Sequence, residues 1–249
     1  MCRLLGVVSH TAAPLTDTLS SDLEPFAALS SIHCDGWGMA YWDAHDDLVV
    51  AKAPEAARGS EKFWTAAKEA STDAAVLHLR RASEGMVPDE RNTHPFAAGS
   101  VAFAHNGFFS PSTKVEGELL QRGGRPPEGD TDSERYFGMV LAAMHDEGPV
   151  QALHSTAERI RQLSDQLVSL NALLLTQQAL YAFAYWDETA PPRPEAGTAT
   201  YELMFRVSED AVTVASDGWE PLGPRWERIS NGMVLEVSRQ DLRVMVHRS

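Results

Sequence analysis

The feature that most constrains this chain is a cysteine at position 2, directly after the initiator methionine and directly before an apolar run. Residues 3–9 have the pattern of a β-strand, so the terminus is expected to be fixed in a sheet from its first residues. If Met1 is removed, Cys2 carries both a thiol and a free α-amino group. Because an α-amine has a pKa of about 7.7–8.0, it can act as general base for its own side-chain nucleophile. The alternative is that Cys2 is only the first residue of a buried strand.

Charge and hydropathy limit the classes of partner. The 249 residues include 21 Lys and Arg against 35 Asp and Glu, which gives a net charge of −14. This balance argues against nucleic acid or an anionic membrane as the main partner. No window approaches 18 uninterrupted apolar residues, and no basic segment precedes an apolar stretch at the N-terminus, so a cytoplasmic protein is expected.

The residues that could bind metals or form disulfides are few. The two cysteines, Cys2 and Cys34, do not indicate a disulfide framework, and Cys34 is predicted to be a small buried hydrophobic residue without a role. The nine histidines show neither an HExxH motif nor a Cys/His cluster with ligand spacing. No metal and no other cofactor is therefore expected.

The order of the predicted elements indicates the fold class. Helices are predicted at residues 16–31 with an interruption at Pro25, at residues 60–70 with Ser60 as N-cap, at residues 133–145 with a Thr131–Glu134 capping box, and from Pro149 onward. Strands are predicted before these last two helices and again after them, including a hairpin of residues 171–176 and 180–185. This order predicts an α+β sandwich with helices on the outer faces, as a single domain over residues 1–249.

Several short polar motifs each have a structural explanation when taken alone. Arg80 and Arg81 could be a solvated strand end, and His94 could hydrogen-bond a turn. Asn106-Gly107 is a strong signal for a type I′ hairpin turn. Asp132 could be an acidic residue stabilised by the dipole at a helix N-terminus.

Together the same residues suit the hydrolysis of an amide. Such a site needs a nucleophile, a base, an oxyanion hole and anchors for the charged ends of the substrate. Cys2 can supply the first two, and a side-chain amide next to a backbone N–H, as in Asn106-Gly107, can bind an oxyanion. A guanidinium can hold an α-carboxylate and a carboxylate can hold an α-ammonium group. This set matches a γ-glutamyl amide, whose remote end is a free amino acid.

With these residues the chain resembles a known family, the class II glutamine amidotransferases, which are N-terminal nucleophile hydrolases. The resemblance covers roughly the first 140 residues and is most similar to the stand-alone bacterial branch. It rests on six motifs in the order of the family: Met1-Cys2-Arg3-Leu4-Leu5-Gly6, Asp35-Gly36-Trp37-Gly38, His78-Leu79-Arg80-Arg81-Ala82-Ser83, Asn92-Thr93-His94-Pro95-Phe96, Ala104-His105-Asn106-Gly107 and Thr131-Asp132-Ser133-Glu134.

The resemblance implies a fold and a role for each matched residue. The fold is the four-layered αββα sandwich of the N-terminal nucleophile hydrolases, as one glutaminase domain. The implied catalytic residues are Cys2 as nucleophile and Asn106 and Gly107 as oxyanion hole. The implied substrate-binding residues are Arg80 for the α-carboxylate, Asp132 for the α-amino group, Ser83 where the family usually has threonine, His94 at a pocket position, and Arg81 where several relatives have an aromatic residue.

Two alternatives to a general glutaminase remain. A related stand-alone enzyme of the ergothioneine pathway removes glutamate from a γ-glutamyl sulfur-containing conjugate, although residues 92–96 favour the general branch. The second alternative is a non-catalytic or partner-dependent subunit that delivers ammonia. Because no Walker A or other nucleotide-binding motif is visible, the acceptor site for any ammonia would lie on a partner synthetase.

Overall fold

The computed structural model describes residues 2–83, 85–190, 201–216 and 226–248, so Met1 lies outside the described residues. The strands among them, in chain order, are β1 (Arg3–Pro14), β2 (Gly36–Trp42), β3 (Leu48–Ala53), β4 (Ser71–Arg80), β5 (Phe96–Ala98), β6 (Val101–Ser110), β7 (Gln166–Leu175), β8 (Ala179–Ala184), β9 (Leu203–Val207), β10 (Ala211–Ser216), β11 (Glu227–Ile229), β12 (Met233–Ser238) and β13 (Val244–His247).

The helices are α1 (Leu15–Thr18), α2 (Leu23–Ala28), α3 (Glu61–Glu69), α4 (Ser112–Gln121), α5 (Asp132–Ala143) and α6 (Pro149–Leu163), with single 3₁₀ turns at Leu29–Ser31 and Glu90–Asn92. Ser60 caps α3 as predicted, because its hydroxyl accepts a hydrogen bond from the Phe63 N–H. Among the described residues, no helix combines the length and the apolar character needed to cross a membrane.

The strands form two antiparallel sheets. The first has the order β11-β9-β10-β1-β4-β2-β3, and the second has the order β13-β12-β8-β7-β6-β5. Strand β1 lies inside the first sheet, where Arg3 is opposite Leu79 of β4 and Leu5 is opposite Ala215 of β10. The N-terminal strand is therefore paired along both edges.

Three apolar cores hold these layers together. Alternate residues of β1 point to opposite faces of the sheet, so Leu4 belongs to the core between the sheets and Leu5 to the core under α1, α2 and α3. The third core joins the second sheet to α4, α5 and α6, with Phe103 and Tyr136 among its members. These layers are the four-layered αββα sandwich, which confirms the predicted fold class.

The helix predicted at residues 16–31 differs from the structure. It is two short helices, α1 and α2, separated at residues 19–22 and not at Pro25. Pro25 lies in the first turn of α2, where a missing backbone N–H leaves no intrahelical hydrogen bond unmade. The proline therefore helps to start a helix that it was expected to interrupt.

The N-terminal cap of α5 is only half of the predicted capping box. The Thr131 hydroxyl accepts a hydrogen bond from the Glu134 N–H, 3.2 Å away, as predicted. The Glu134 carboxylate does not close the box, since it accepts hydrogen bonds from the N–H groups of Glu128 and Gly129. Its side chain thus holds the preceding loop against the helix.

The hairpin turn considered for Asn106-Gly107 is wrong. Strand β6 continues through this pair to Ser110, with Asn106 opposite Asn171 and Gly107 opposite Leu170 of β7. A Cβ at position 107 would collide with the Ser169 carbonyl oxygen, so only glycine fits this strand position. Long-range pairing overrides the local turn propensity here.

Two buried histidines bridge the sheets. The ring of His78, on β4, stacks on that of His94, just before β5, with centroids 4.1 Å apart. Burial lowers the pKa of both imidazoles well below the usual value. The approach is close, because a Cβ at Gly38 of β2 would collide with the His94 carbonyl oxygen. The two rings are therefore held neutral where the first and second sheets meet.

We expect Leu173→Ala to lower the free energy of unfolding by about 2–5 kcal/mol, because Leu173 is fully buried between the sheets and its loss leaves a cavity. Urea denaturation measures this change. Leu120→Ala is the control, since Leu120 is 45% exposed and its truncation should change stability by less than about 0.5 kcal/mol. Equal losses in the two variants would contradict the assignment of Leu173 to this core.

The His78–His94 stack predicts a loss of stability in mild acid. As pH falls below about 6.5, the unfolded chain takes up protons that the buried rings do not, so the free energy of unfolding should fall between pH 6.5 and 5. His94→Phe, which keeps a ring in the stack, should reduce that slope. Urea denaturation at several pH values measures it, with exposed His10→Gln as the control. An unchanged slope in His94→Phe would contradict this prediction.

Candidate active site

Cys2 is held at the start of β1. The Arg3 guanidinium donates a hydrogen bond to the Cys2 carbonyl at 2.9 Å, and the Leu4 N–H donates to the Ser216 hydroxyl at 2.9 Å. The half-buried Cys2 thiol accepts a hydrogen bond from the Arg81 N–H, with 3.4 Å between sulfur and nitrogen. The first described residue therefore has a defined position beside the end of β4.

Burial and nearby polar and charged groups shift the pKa of the Cys2 thiol. Burial raises the pKa of the Cys2 thiol, while the Arg81 N–H and the charge of Arg80 act to lower it and the charge of Asp132 acts to raise it. A thiol with a raised pKa is mostly protonated at neutral pH, so it needs a base to become a nucleophile.

Arg80 ends β4 with its guanidinium buried. Its Nη1 lies 3.5 Å from the Asp35 carbonyl oxygen and its Nη2 lies 3.8 Å from the Met86 sulfur. Both contacts are long, and Arg80 makes no ion pair with a carboxylate in the described part of the chain. Because a buried charge is costly when unpaired, this guanidinium is suited to bind an anionic ligand.

Asp35 fixes the backbone around Arg80. Its carboxylate accepts a hydrogen bond from the Ala82 N–H at 2.8 Å, and its own N–H donates to the Arg80 carbonyl at 3.1 Å. Arg81 follows with a half-buried side chain, and Ser83 is exposed in the loop beyond. The structure therefore brings Arg80 and Arg81 next to Cys2, with Ser83 at the outer edge.

Asn106 and Gly107 lie in the middle of β6, in the second sheet. The Asn106 side-chain Oδ1 is buried and has no hydrogen-bond partner among the described residues. The Asn106 carbonyl accepts a hydrogen bond from the Ser169 hydroxyl at 3.0 Å. A buried amide with an unmet polar atom in a well-packed strand is a candidate for contact with a ligand or a water molecule.

Asp132 is the first residue of α5 and is tied to the same strand. Its Oδ2 accepts a hydrogen bond from the Phe109 N–H of β6 at 3.0 Å, and its Oδ1 accepts one from the Ser133 N–H at 2.9 Å. No cation lies within ion-pair distance of Asp132 among the described residues. Its charge is thus compensated by N–H groups and is available to a cationic ligand.

The structure corrects the expectation for Cys34 and shows the surroundings of His94. Cys34 is exposed and not buried, because it lies in the connection between the Leu29–Ser31 turn and β2. His94 is buried against His78 and Phe96, with neither ring nitrogen hydrogen-bonded in the described residues. No group of three or more His, Cys, Asp or Glu residues in the described ranges is arranged to hold a metal ion.

Some residues of the site were not found from the sequence. Asp35, His105 and Ser133 lie inside quoted motifs, but a residue's neighbours in sequence do not show which groups its side chain contacts. Ser169 had no local signal, because it reaches Asn106 only through the pairing of β6 and β7. Its position is a product of the fold.

Comparisons with known proteins identify the family of the chain. The family described as "Glutamine amidotransferases class-II" matches residues 1–190. The probable glutamine amidotransferase DUG3 of Saccharomyces cerevisiae is 30% identical over 116 residues, which are 43% of this chain and 32% of that protein. Glutamine–fructose-6-phosphate aminotransferase (isomerizing) of Caulobacter vibrioides is 28% identical over 166 residues, 64% of this chain and 25% of that protein. The chain thus spans about a quarter to a third of these curated relatives.

Solved structures share the fold. A glutamine aminotransferase class-II domain protein from Silicibacter pomeroyi superposes with a TM-score of 0.71 at 19% identity, covering 99% of both chains. The glutamine phosphoribosylpyrophosphate amidotransferase of B. subtilis superposes with a TM-score of 0.67 at 16% identity, over 99% of this chain and 49% of that chain. Since the family match covers most of the sequence, the chain belongs to the class II glutamine amidotransferases.

Proposed function

We propose that this protein hydrolyses the side-chain amide of glutamine or of a γ-glutamyl amide, with Cys2 as nucleophile. The observation that carries the proposal is the contact of the Cys2 thiol with the Arg81 N–H, 3.4 Å away, which places the sulfur beside the buried charge of Arg80; Asp132 is the opposite charge that we assign to the same site. A free amino acid presents a carboxylate and an ammonium group, which match these two charges. The amide carbon of such a ligand can then lie at the thiol.

Activation of the nucleophile depends on the removal of Met1. The exposed α-amine of Cys2 would take the thiol proton, directly or through a water molecule, at a pKa close to neutral pH. This base compensates for burial, which raises the pKa of the thiol. A form that retains Met1 has an amide nitrogen at this position, and an amide cannot serve as the base.

Asn106 and Gly107 are proposed as the oxyanion hole. Attack of the sulfur on the γ-carbonyl carbon gives a tetrahedral oxyanion, which the Asn106 side-chain amide and the Gly107 N–H would stabilise. The C–N bond then breaks, the leaving amine takes the proton, and a γ-glutamyl thioester remains on Cys2. Water attacks the thioester, which releases glutamate and restores the thiol.

The remaining residues are proposed to bind the amino-acid end of the substrate. Arg80 would hold the α-carboxylate, with the Ser83 hydroxyl as a further contact, and Asp132 would hold the α-ammonium group. Arg81 would form the outer wall beyond the thiol. His94 would contribute to the wall of the pocket, and its stack on His78 would hold it there.

The fate of the released ammonia is a separate proposal. The segments shared with this chain make up only 25% and 22% of the two relatives named as aminotransferases. We propose that a partner protein, where one is present, supplies the acceptor. Glutaminase activity of the purified chain alone would show that the hydrolysis itself does not require that partner.

We expect 6-diazo-5-oxo-L-norleucine, an electrophilic glutamine analogue, to label Cys2 of the processed chain and to abolish glutamine hydrolysis. Intact mass spectrometry reports both Met1 removal and the added label. Cys2→Ala should be unlabelled and inactive, whereas Cys34→Ala should still be labelled at Cys2, because the exposed Cys34 thiol makes only a long contact of 3.9 Å with Asp35. Wild-type turnover by Cys2→Ala, or by a form that retains Met1, would refute the mechanism.

We expect Asp132→Asn to lower kcat/KM for glutamine about 10- to 150-fold, mainly through KM, because a charged hydrogen bond to the ammonium group is lost. Steady-state kinetics measure the change. Asp130→Asn, an exposed carboxylate two residues earlier, should be within twofold of the wild type. Similar losses in both variants would argue against the proposed role of Asp132, provided that thermal melting shows both chains folded.

A further inference from the structure

A series of polar contacts leads from Asp132 through Ser133, His105 and Ser169 to Asn106, and His105 is its central member. His105 lies on β6 directly before Asn106 and is almost completely buried. Its Nδ1 is 2.9 Å from the Ser133 hydroxyl and its Nε2 is 3.2 Å from the Ser169 carbonyl oxygen. The Nδ1 of the ring therefore faces the part of the site proposed to bind the ammonium group. The Nε2 faces the part proposed to bind the oxyanion.

On the Nε2 side, His105 supports the Asn106-Gly107 backbone. The Ser169 carbonyl oxygen accepts a hydrogen bond from the His105 Nε2–H. The Ser169 hydroxyl donates a hydrogen bond to the Asn106 carbonyl at 3.0 Å. The Ser169 carbonyl and the His105 Nε2 also lie so close to the Gly107 Cα that no side chain fits between them. A small shift of the ring would be transmitted directly to Gly107.

On the Nδ1 side, His105 reaches Asp132 through one hydroxyl group. The Ser133 Oγ lies 2.9 Å from His105 Nδ1 and 3.2 Å from Asp132 Oδ1. A serine hydroxyl carries a single proton, so it can donate to only one of these two acceptors at a time. Asp132 and His105 therefore compete for the same proton.

The protonation of the ring follows from its neighbours. A carbonyl oxygen accepts hydrogen bonds only, so Nε2 must carry a proton. Burial lowers the pKa of His105, against the opposing effects of Asp132 and the Ser169 carbonyl, which favours the neutral ring. Titratable groups of other elements that surround the ring include His78, His94, Asp132 and Tyr136. In the neutral Nε2–H form, Nδ1 is an acceptor that needs the Ser133 proton.

The surroundings keep the ring in one orientation. Tyr136 of α5 packs edge-on against it with centroids 5.3 Å apart. The Nε2 of His78, in the first sheet, lies 3.2 Å from the His105 carbonyl oxygen. Because a carbonyl oxygen only accepts hydrogen bonds, this Nε2 carries a proton. The backbone and the ring of His105 are thus fixed separately, and the variable part is the direction of the Ser133 hydroxyl.

We propose that His105 is a positioning residue that couples occupation of Asp132 by the substrate's ammonium group to the alignment of the Asn106-Gly107 oxyanion hole. This inference rests on the proposed function. Without substrate, the charged Asp132 carboxylate competes with His105 Nδ1 for the Ser133 proton, from 3.2 Å and 2.9 Å respectively. When an ammonium group donates to Asp132, the Ser133 hydroxyl turns to His105 Nδ1, and the ring is held by hydrogen bonds at both ends.

The kinetic test compares glutamine with glutaramate, which is the same molecule without the α-amino group. Ser133→Ala should lower kcat/KM about 3- to 10-fold for glutamine, the effect of one neutral hydrogen bond, and less than twofold for glutaramate. His105→Gln, whose amide can still donate toward Ser169, should show the same split, and the double variant should be no worse than either single variant. Equal losses with both substrates, or additive losses in the double variant, would overturn the proposal.

Matched controls separate this coupling from a general loss of packing. Ser155→Ala removes a hydroxyl of α6 that donates to Glu147 in the connection before that helix, and His154→Gln removes a half-buried imidazole that packs on Phe183. Both variants should leave the ratio of kcat/KM for glutamine to kcat/KM for glutaramate unchanged. His105→Asn, which loses the contact with Ser169, should lower kcat for both substrates.

A measurement that needs no catalysis distinguishes failure of this proposal from failure of the proposed function. In Cys2→Ala with ¹⁵N-labelled histidine, the His105 ring should be the neutral Nε2–H tautomer, and glutamine but not glutaramate should shift the Nδ1 resonance. The shift should be absent after Ser133→Ala. An Nδ1–H tautomer, or equal shifts with both ligands, would refute the coupling. If glutamine shifts no resonance in the protein, the proposed substrate is wrong. The tautomer of His105 still shows whether its Nδ1 accepts the proton of the Ser133 hydroxyl.

Discussion

The pairing of β1 along both edges is the constraint on which the rest of the site depends. A chain terminus is normally free to move, but here β4 and β10 fix the backbone from the first residues onward. The Arg3 guanidinium then holds the Cys2 carbonyl, and the Ser216 hydroxyl accepts from the Leu4 N–H. The thiol is therefore placed by the strand pairing together with these two side-chain hydrogen bonds. This fixed start also brings it to the end of β4, where the chain leaves the sheet at Arg80 and Arg81.

The site exists only because the two sheets pack closely. Cys2 and Arg80 belong to the first sheet, whereas Asn106 and Gly107 belong to the second, and Asp132 comes from a helix behind it. Close approach is made possible by a glycine at position 38 and is bridged by the His78–His94 stack and by the contact of His78 with the His105 carbonyl. Polar groups are thus present in a region that the apolar core between the sheets would otherwise fill, and each needs a defined partner.

Two charged side chains of the candidate site have no partner of opposite charge among the described residues. Arg80 is buried with only long contacts to a carbonyl and a sulfur, and Asp132 is balanced by N–H groups without a cation. Burial of an unpaired charge costs free energy, which a zwitterionic ligand would recover by pairing with both groups at once. The hydrogen-bond chain through Ser133, His105 and Ser169 provides a physical path from one of these charges to Asn106. The coupling that we propose for His105 would use this path.

The sequence by itself determined the type and order of most elements, since apolar periodicity and caps such as Ser60 are local properties. It also determined which chemical groups were available, because the motifs around Cys2, Arg80, Asn106 and Asp132 carry them. Only the tertiary structure decided that Asn106-Gly107 lies within a strand, that Cys34 is exposed, and that Ser169 supports a residue 63 positions away. The reason is that strand pairing and sheet packing are long-range interactions. They can override a local turn preference, and they bring together side chains whose relation no spacing along the chain reveals.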